Sequence, residues 1–286
     1  MTLPVAEPRA LREREFDFSS DEFEALRKLV KQHTGIHLSE QKRELVYGRL
    51  SRRLRALGMQ DFREYRALLA AKDSQELVEF CNAITTNLTS FFRESHHFDY
   101  VRDQLLAARA ADPMTSRRMR FWCAGCSTGE EPYSLAMSVH EAIRDVSRWD
   151  IRILATDLDT DVLAKCRRGV YGEDRLRDMN ARRRATFFNP QGEGAAASYS
   201  VTPQLRDMIS FTQLNLMDAL PMRGPLDAIF CRNVVIYFDK DTQRALFARM
   251  AALQRPGALL FLGHSESLFK VSDAYALVGK TIYRRI

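Results

Sequence analysis

Four runs of this sequence combine residue types that could do chemistry. In FWCAGCSTGEEPYSLA (121–136) an apolar run ends at Cys123–Ala124, Gly125 and Gly129 turn the chain, and Pro132 opens a helix-like stretch at a favoured N1 position. At the carboxyl end of a strand, such a turn lets backbone approach a ligand closely. A dinucleotide fingerprint would need G-x-G-x-x-G, which is absent. Glu130 and Glu131 stand where a pyrophosphate needs an open helix N-terminus, so the turn suits a cationic ligand. An ordinary strand-to-helix turn is the plain alternative. In ATDLDTDVL (155–163), Asp157 ends a second apolar run one strand–helix unit later, where an acid can accept hydrogen bonds from ribose hydroxyls. Asp159 and Asp161 are expected to cap the helix that follows. Together the two runs point to a nucleoside-containing cofactor that needs no pyrophosphate, and S-adenosylmethionine fits.

The third run, CRNVVIYF (231–238), and the pair Asn215–Leu216 each end a further strand-like run, where polar groups converge on the cleft of an open α/β sheet. The fourth, TTNLTSFFRES (85–95), interleaves Asn87, Thr89 and Arg93 with Phe91 and Phe92, an unusual composition for a plain linker. Cys123 and Cys126 form a C-x-x-C without a second Cys/His pair at zinc-ribbon spacing, and read as two small structural residues. His96 and His97 are adjacent and cannot face one point on a helix, so no metal is expected.

The elements that must position these residues change character along the chain. Residues from Ser20 to about Thr86 carry only helical signals. One helix is capped at Ser20 and stopped by Gly35. A second starts at Ser39–Glu40 and ends at Gly58. Two more cover about 60–71 and 74–86. From Arg118 onward, the short apolar runs at 119–124, 151–156, 209–216, 226–231, 258–264 and 281–286 alternate with amphipathic stretches at 132–144, 160–168 and 240–253. That alternation predicts an α/β, doubly wound, mostly parallel sheet. Residues 187–205, rich in Gly, Ala, Ser and Pro, break the rhythm as an inserted hairpin or small β-subdomain. The divisions expected are a flexible arm at 1–15, a helical domain at 16–92, and an α/β domain at 93–286 whose β-subdomain covers about 187–212.

The 286 residues are 45% apolar and 28% charged, enough for a packed core and too ordered a composition for a disordered chain. No stretch has the ~18 uncharged apolar residues of a membrane helix. Five scattered cysteines suit a reducing cytoplasm better than a disulfide scaffold. The net charge of +6 is mild, so its local distribution matters more.

NLTSFFRE, STGEEPYS, ATDLD and FCRNVVIYFD, in this order and spacing, resemble the chemotaxis receptor methyltransferases, the CheR family, from about residue 20 to the end. The resemblance implies an all-helical N-terminal domain before a Rossmann-like S-adenosylmethionine methyltransferase domain with an inserted β-subdomain. It also implies a cytoplasmic, monomeric enzyme that makes glutamate γ-methyl esters on the cytoplasmic helices of chemoreceptors. Carried onto this sequence, the cofactor contacts fall on Asn87, Thr89, Arg93, Ala124, Glu131, Asp157, Asn215, Leu216, Arg232 and Asn233. Arg93 and Tyr237 are implied to lie nearest the transferring methyl. Some family members also hold a receptor C-terminal pentapeptide on the β-subdomain. Here Gly192 and Gly194 flank Glu193 in a turn, and the strand-competent run Ser198 to Thr202 could offer an edge.

A separate signal concerns the acceptor. Lys42, Arg43, Arg49, Arg52, Arg53 and Arg55 fall within fourteen residues containing one acid, Glu44. Val46, Leu50, Leu54 and Leu57 share one helical face and the bases spread over the other. Arg49, Arg52, Arg53 and Arg55 therefore form an expected binding surface for an acidic receptor bundle. A solvated helix face and a nucleic-acid stripe are the alternatives. Against the stripe, Tyr47 is the only aromatic there and no nucleic-acid motif accompanies it, so no nucleic-acid partner and no membrane insertion are expected.

Overall fold

The computed structural model describes residues 14–71, 74–112, 114–194 and 197–286. Most of the expected arm lies outside the described residues. Arg14 and Glu15, its last two positions, are paired with Glu44 and Arg55.

Helix α1 (Ser20–Thr34) is capped by Ser19, whose Oγ accepts from Glu22 N at 3.1 Å, one residue before the expected cap. It ends at Gly35 with φ 74°. A single 3-10 turn, Glu40–Lys42, leads into α2 (Arg43–Leu57), closed by Gly58. Helices α3 (Phe62–Ala70) and α4 (Glu76–Ile84) complete the block. Apolar residues recurring at helical spacing give each helix one buried face. Phe23, Leu26 and Val30 of α1 meet Val46, Leu50 and Leu54 of α2 and Phe62, Tyr65 and Phe80 from the other two helices. Leu57 lies outside that core, 40% exposed.

After the 85–95 crossing, α5 (His96–Tyr100) runs through a π-helical segment, Val101–Leu106, into α6 (Ala107–Ala111). The α/β domain follows as β1 (Arg118–Ala124), α7 (Glu130–Ala142), β2 (Asp150–Asp157), α8 (Thr160–Arg168), β3 (Val170–Gly172), α9 (Glu173–Leu176), α10 (Ala181–Phe187), β4 (Phe188–Gln191), β5 (Ser198–Val201), α11 (Pro203–Arg206), β6 (Ile209–Gln213), β7 (Leu226–Cys231), α12 (Lys240–Ala252), β8 (Gln254–Leu262), β9 (Tyr275–Gly279) and β10 (Ile282–Arg285). The large sheet has the order β6-β2-β1-β7-β8-β10-β9, with the first five strands parallel and β10 antiparallel to both of its neighbours, β8 and β9. The chain steps from β1 to β2 on one side and later to β7 on the other, so the order reverses at β1. The crevice outside the carboxyl ends of such strands is where ligands bind in this architecture.

Three expectations are corrected here. Helix α7 begins at Glu130, so Pro132 is its third residue; its missing N–H would have had no intrahelical partner there either. The small sheet has the order β3-β5-β4 and so recruits Val170–Gly172, while Ile209–Gln213 pairs with β2 in the large sheet, as the strand-like run at 209–216 suggested, so the expected 187–212 unit extended too far. Three residues are too few to leave a strand pattern, and the alternation ISFTQ fits either sheet until Ile209 is seen buried beside Ile153. Last, Ser198–Val201 is the central strand of the small sheet and offers no free edge.

One polar cluster within the helical domain sets a stability expectation. Glu76, only 7% exposed, accepts from Arg53 Nε at 2.8 Å, Arg53 Nη2 at 2.6 Å and Tyr65 Oη at 2.8 Å. Removing the carboxylate strands a guanidinium and a buried phenol. Glu76→Ala is expected to lower the unfolding free energy by about 3 kcal/mol in urea denaturation, and a loss under 1 kcal/mol would show that water replaces the acid.

Candidate active site

The site is built from the turn after β1. Gly125 takes φ 85°, and its N–H and that of Cys126 donate to Thr156 O at 2.8 and 2.9 Å. A Cβ at Gly125 would strike Val234, so only glycine lets this turn pack under the segment after β7. The next N–H, from Ser127, donates to Asp157 Oδ2 at 2.8 Å, and Asp159 N donates to Oδ1 at 3.0 Å. Burial pushes the Asp157 carboxyl up to about 6, against the pull of these N–H donors. A carboxylate has about four acceptor positions. Two of those of Asp157 are filled from its own chain, and the residue faces a cavity of about 260 Å³.

That cavity is walled by both domains. Ile36, His37, Leu38, Lys42 and Leu45 come from the helical block, Thr85 to Ser90 and Arg93 from the crossing, and most of the remainder from the turns and loops after the strands. The structure brings Asn87, Thr89, Arg93, Glu131, Asp157, Asn215, Leu216, Arg232, Asn233 and Tyr237 to it. Asn87 donates to Asp159 Oδ2 at 2.7 Å, and Asn215 donates to His33 O at 2.7 Å. Arg93 Nη1 donates to Leu88 O at 2.8 Å, closing the loop between them. Buried Arg232 lies 3.1 Å from Glu131 and 3.6 Å from Glu94, and also donates to Arg93 O. Burial raises the Glu131 carboxyl above its ordinary range, and Arg232 opposes that shift.

Ala124 is not at the cavity. Its methyl packs in the core with Trp122, Ile229 and Leu260, and the wall is met by Gly125, Cys126 and Ser127 instead. Glu130 also departs from its expected role: it is fully buried, ion-paired with Arg175 and bonded by Thr128 Oγ1 at 2.6 Å, so only Glu131 of the pair faces ligand space. Asp159 caps α8 as expected, accepting from Asp161 N and Val162 N, whereas Asp161 makes no side-chain cap.

The basic face of α2 is largely committed within the fold. Arg49 donates to Ile84 O, Thr85 O and Thr86 Oγ1, Arg53 is held by Glu76, and Arg55 pairs with Glu15 at 2.8 Å. Arg52 is exposed, and Lys42 reaches the cavity wall. Periodicity counts charges on a face but does not reveal the carbonyls that folding carries to them from 35 residues away. Sequence reasoning also missed Ile36, His37, Leu38, Ser127 and Leu158; of these only Ser127 and Leu158 stood within runs already singled out. Among the described residues no group of three His, Cys, Asp or Glu side chains could hold a metal ion, and no helix is long and apolar enough to cross a membrane.

The reversal at β1, the glycine turn and the acid closing β2 are those of an S-adenosylmethionine-binding methyltransferase domain. Residues 87–284 match the family model described as CheR methyltransferase, SAM binding domain, and residues 21–85 match CheR methyltransferase, all-alpha domain. The chain belongs to the CheR family. Chemotaxis protein methyltransferase 2 of Pseudomonas aeruginosa is 44% identical over 271 residues, covering 94% of this chain and 95% of that one. The chemotaxis protein methyltransferase of Escherichia coli K12 is 40% identical over 268 residues, covering 93% and 91%. The protein is thus an S-adenosylmethionine-dependent methyltransferase.

The residues present fit that cofactor. Asp157 has acceptor positions to spare for ribose hydroxyls, and Leu158, Leu214 and Leu216 give an apolar wall beside it. Glu131 and Glu94 face one guanidinium, that of Arg232, leaving excess negative charge for an ammonium group.

Ribose hydroxyls would donate to the ionised form of Asp157, so on that arrangement binding should release a proton where the group is protonated. Affinity for S-adenosylhomocysteine is expected to rise between pH 5 and 7 by up to about tenfold per unit below 6, then level off. In the ligand-free protein the sign is opposite. The raised carboxyl favours the fold when protonated, and that contribution fades as pH climbs from 3.8 through about 6. Calorimetry in two buffers of different ionisation heat reads the proton directly, and a flat profile that survives in Asp157→Asn would remove this acid from the site.

Proposed function

We propose that this enzyme methylates glutamate side-chain carboxylates of chemoreceptors, forming γ-methyl esters, with Arg93 and Tyr237 beside the reacting groups. The observation that carries the reading is a cavity whose wall holds Arg93 and Tyr237 and, among the described residues, no histidine paired with an acid. His37, the histidine lining it, forms no ion pair with an acid among the described residues. A glutamate carboxylate, with a pKa near ~4.3, is already ionised at neutral pH and needs no base. When bound, S-adenosylmethionine supplies an electrophilic methyl group. The chain's own task is alignment, for which ~7–11 kcal/mol is available in favourable intramolecular cases. The guanidinium of Arg93 can orient a carboxylate, and the Tyr237 hydroxyl can donate to one. Lys42 and exposed Arg52 supply positive charge for an acidic partner, a smaller set than the four arginines Arg49, Arg52, Arg53 and Arg55.

Incubation with methyl-labelled cofactor and receptor cytoplasmic fragments should give base-labile label released as methanol. Label stable to base, or none on receptor while another acceptor is labelled, would overturn the reading. Arg93→Ala is expected to cut the rate at least 100-fold with receptor still bound.

A second receptor contact belongs to this reading. An extended C-terminal pentapeptide could add to a free edge of the small sheet, which is β3 or β4, and hold methylation sites at roughly mM local concentration. Titration with an aromatic- and acid-containing pentapeptide should show micromolar binding. No binding at high micromolar peptide, by protein that still binds cofactor, would leave recognition to the cavity mouth.

A further inference from the structure

The structure assigns to Glu266 the role of positioning residue for the transfer. It lies in the loop after β8, is 5% exposed, and lines no part of the cavity. Its carboxylate gathers five backbone N–H groups. Oε2 accepts from Asn233 at 2.8 Å and Gly263 at 2.6 Å, and Oε1 accepts from Val234 at 2.9 Å, Val235 at 2.9 Å and Ile236 at 3.3 Å. Four of these donors, Asn233 to Ile236, are consecutive and run from the segment after β7 into the 3-10 turn Val235–Tyr237.

Such a run of N–H groups has no strand or helix partner, and buried donors left unpaired are costly. Asn233 takes φ 58°, a left-handed conformation that asparagine adopts more readily than other non-glycine residues. Gly263 meets this need from the other side. A Cβ there would come 2.9 Å from Asn233 N, so the two loops pack backbone to backbone with Glu266 between them. The side chains this frame sets in place, Asn233 and Tyr237, both line the cavity. Glu266 touches neither cofactor space nor acceptor space and acts through them. A reaction that depends on alignment is sensitive to this frame, since a displacement near 1 Å can cost ~100-fold in rate.

Because the assignment rests on the proposed glutamate transfer, the test carries its own control. Wild-type enzyme, Glu266→Gln, Tyr237→Phe and the double variant are assayed for methyl transfer to receptor fragments at saturating cofactor, below the unfolding temperature of each. A glutamine keeps one acceptor oxygen and turns an NH₂ group toward the same donors. Glu266→Gln is expected to lower kcat about 100-fold with KM for the acceptor changed less than threefold. Adding Tyr237→Phe to it should cost less than threefold more, because the tyrosine is already misplaced. Full kcat in Glu266→Gln, or losses that multiply in the double variant, would overturn the assignment. So would a lowered unfolding temperature with kcat intact, the signature of a purely structural role. Should Glu266→Gln not fold, Glu266→Asp, which keeps the charge one methylene short, enters the same cycle with the same criteria. An inactive wild-type enzyme would instead overturn the glutamate-transfer reading.

Discussion

The carboxylate of Asp159 ties the molecule together. It is 3% exposed, and Oδ1 accepts from Asp161 N at 2.9 Å and Val162 N at 3.2 Å, which starts α8. Oδ2 accepts from Thr85 Oγ1 and Asn87 Nδ2, both at 2.7 Å, which fixes the crossing between the domains. An ion so buried is tolerable only when every lone pair finds a donor. Helix start and crossing segment therefore have to arrive at one point. Its own N–H in turn donates to Asp157, so the acid facing the cavity is placed by the same junction.

From that junction the helical domain is drawn over the sheet edge. Asn82 bonds Thr160 at 2.9 Å, Asn215 bonds His33 O, His37 N donates to Tyr237 O at 2.7 Å, and Lys31 pairs with Asp239 at 2.8 Å. The ion pair is half-exposed and contributes little by itself. The hydrogen bonds to backbone carbonyls are the more telling contacts, since each satisfies a group at a loop that also lines the cavity. The cavity is thus a property of the two-domain arrangement, and neither domain contains it alone.

What could be read in the sequence follows from what folding leaves local. The central strands β1 and β7 are buried on both faces along most of their length and left near-continuous apolar runs, as at Phe121–Ala124 and Ala228–Cys231. Strand β9 has Ala276 and Leu277 exposed at the sheet edge, and β3 has three residues, so neither left a pattern. Of the residues lining the cavity, Asp157 and Asn233 could be placed from their positions at strand ends, which converge in this architecture, whereas Glu131 and Tyr237 were placed by the family resemblance. Ala124 was misplaced because alternate residues at a strand end face opposite ways, and nothing in the run CAGC tells which one meets the ligand. The arginines of α2 were misread for a different reason. Arg49 and Arg53 are defined by the partners Ile84 O and Glu76, and a helical wheel contains neither.

In the proposed transfer, opposite charges cancel. A carboxylate acceptor and a sulfonium donor lose their charges together along the reaction coordinate. A wall strongly biased to either sign would stabilise one reactant more than the transition state and slow the step. Beside the cavity, Arg232 is buried between Glu94 and Glu131 and donates to the backbone of Arg93, whose own guanidinium is bonded to Leu88 O. The Arg232 guanidinium is held by its neighbours and has no freedom to follow a substrate. For the proposed acceptor, a carboxylate that would arrive already ionised, fixed geometry is the main contribution left for the protein to make.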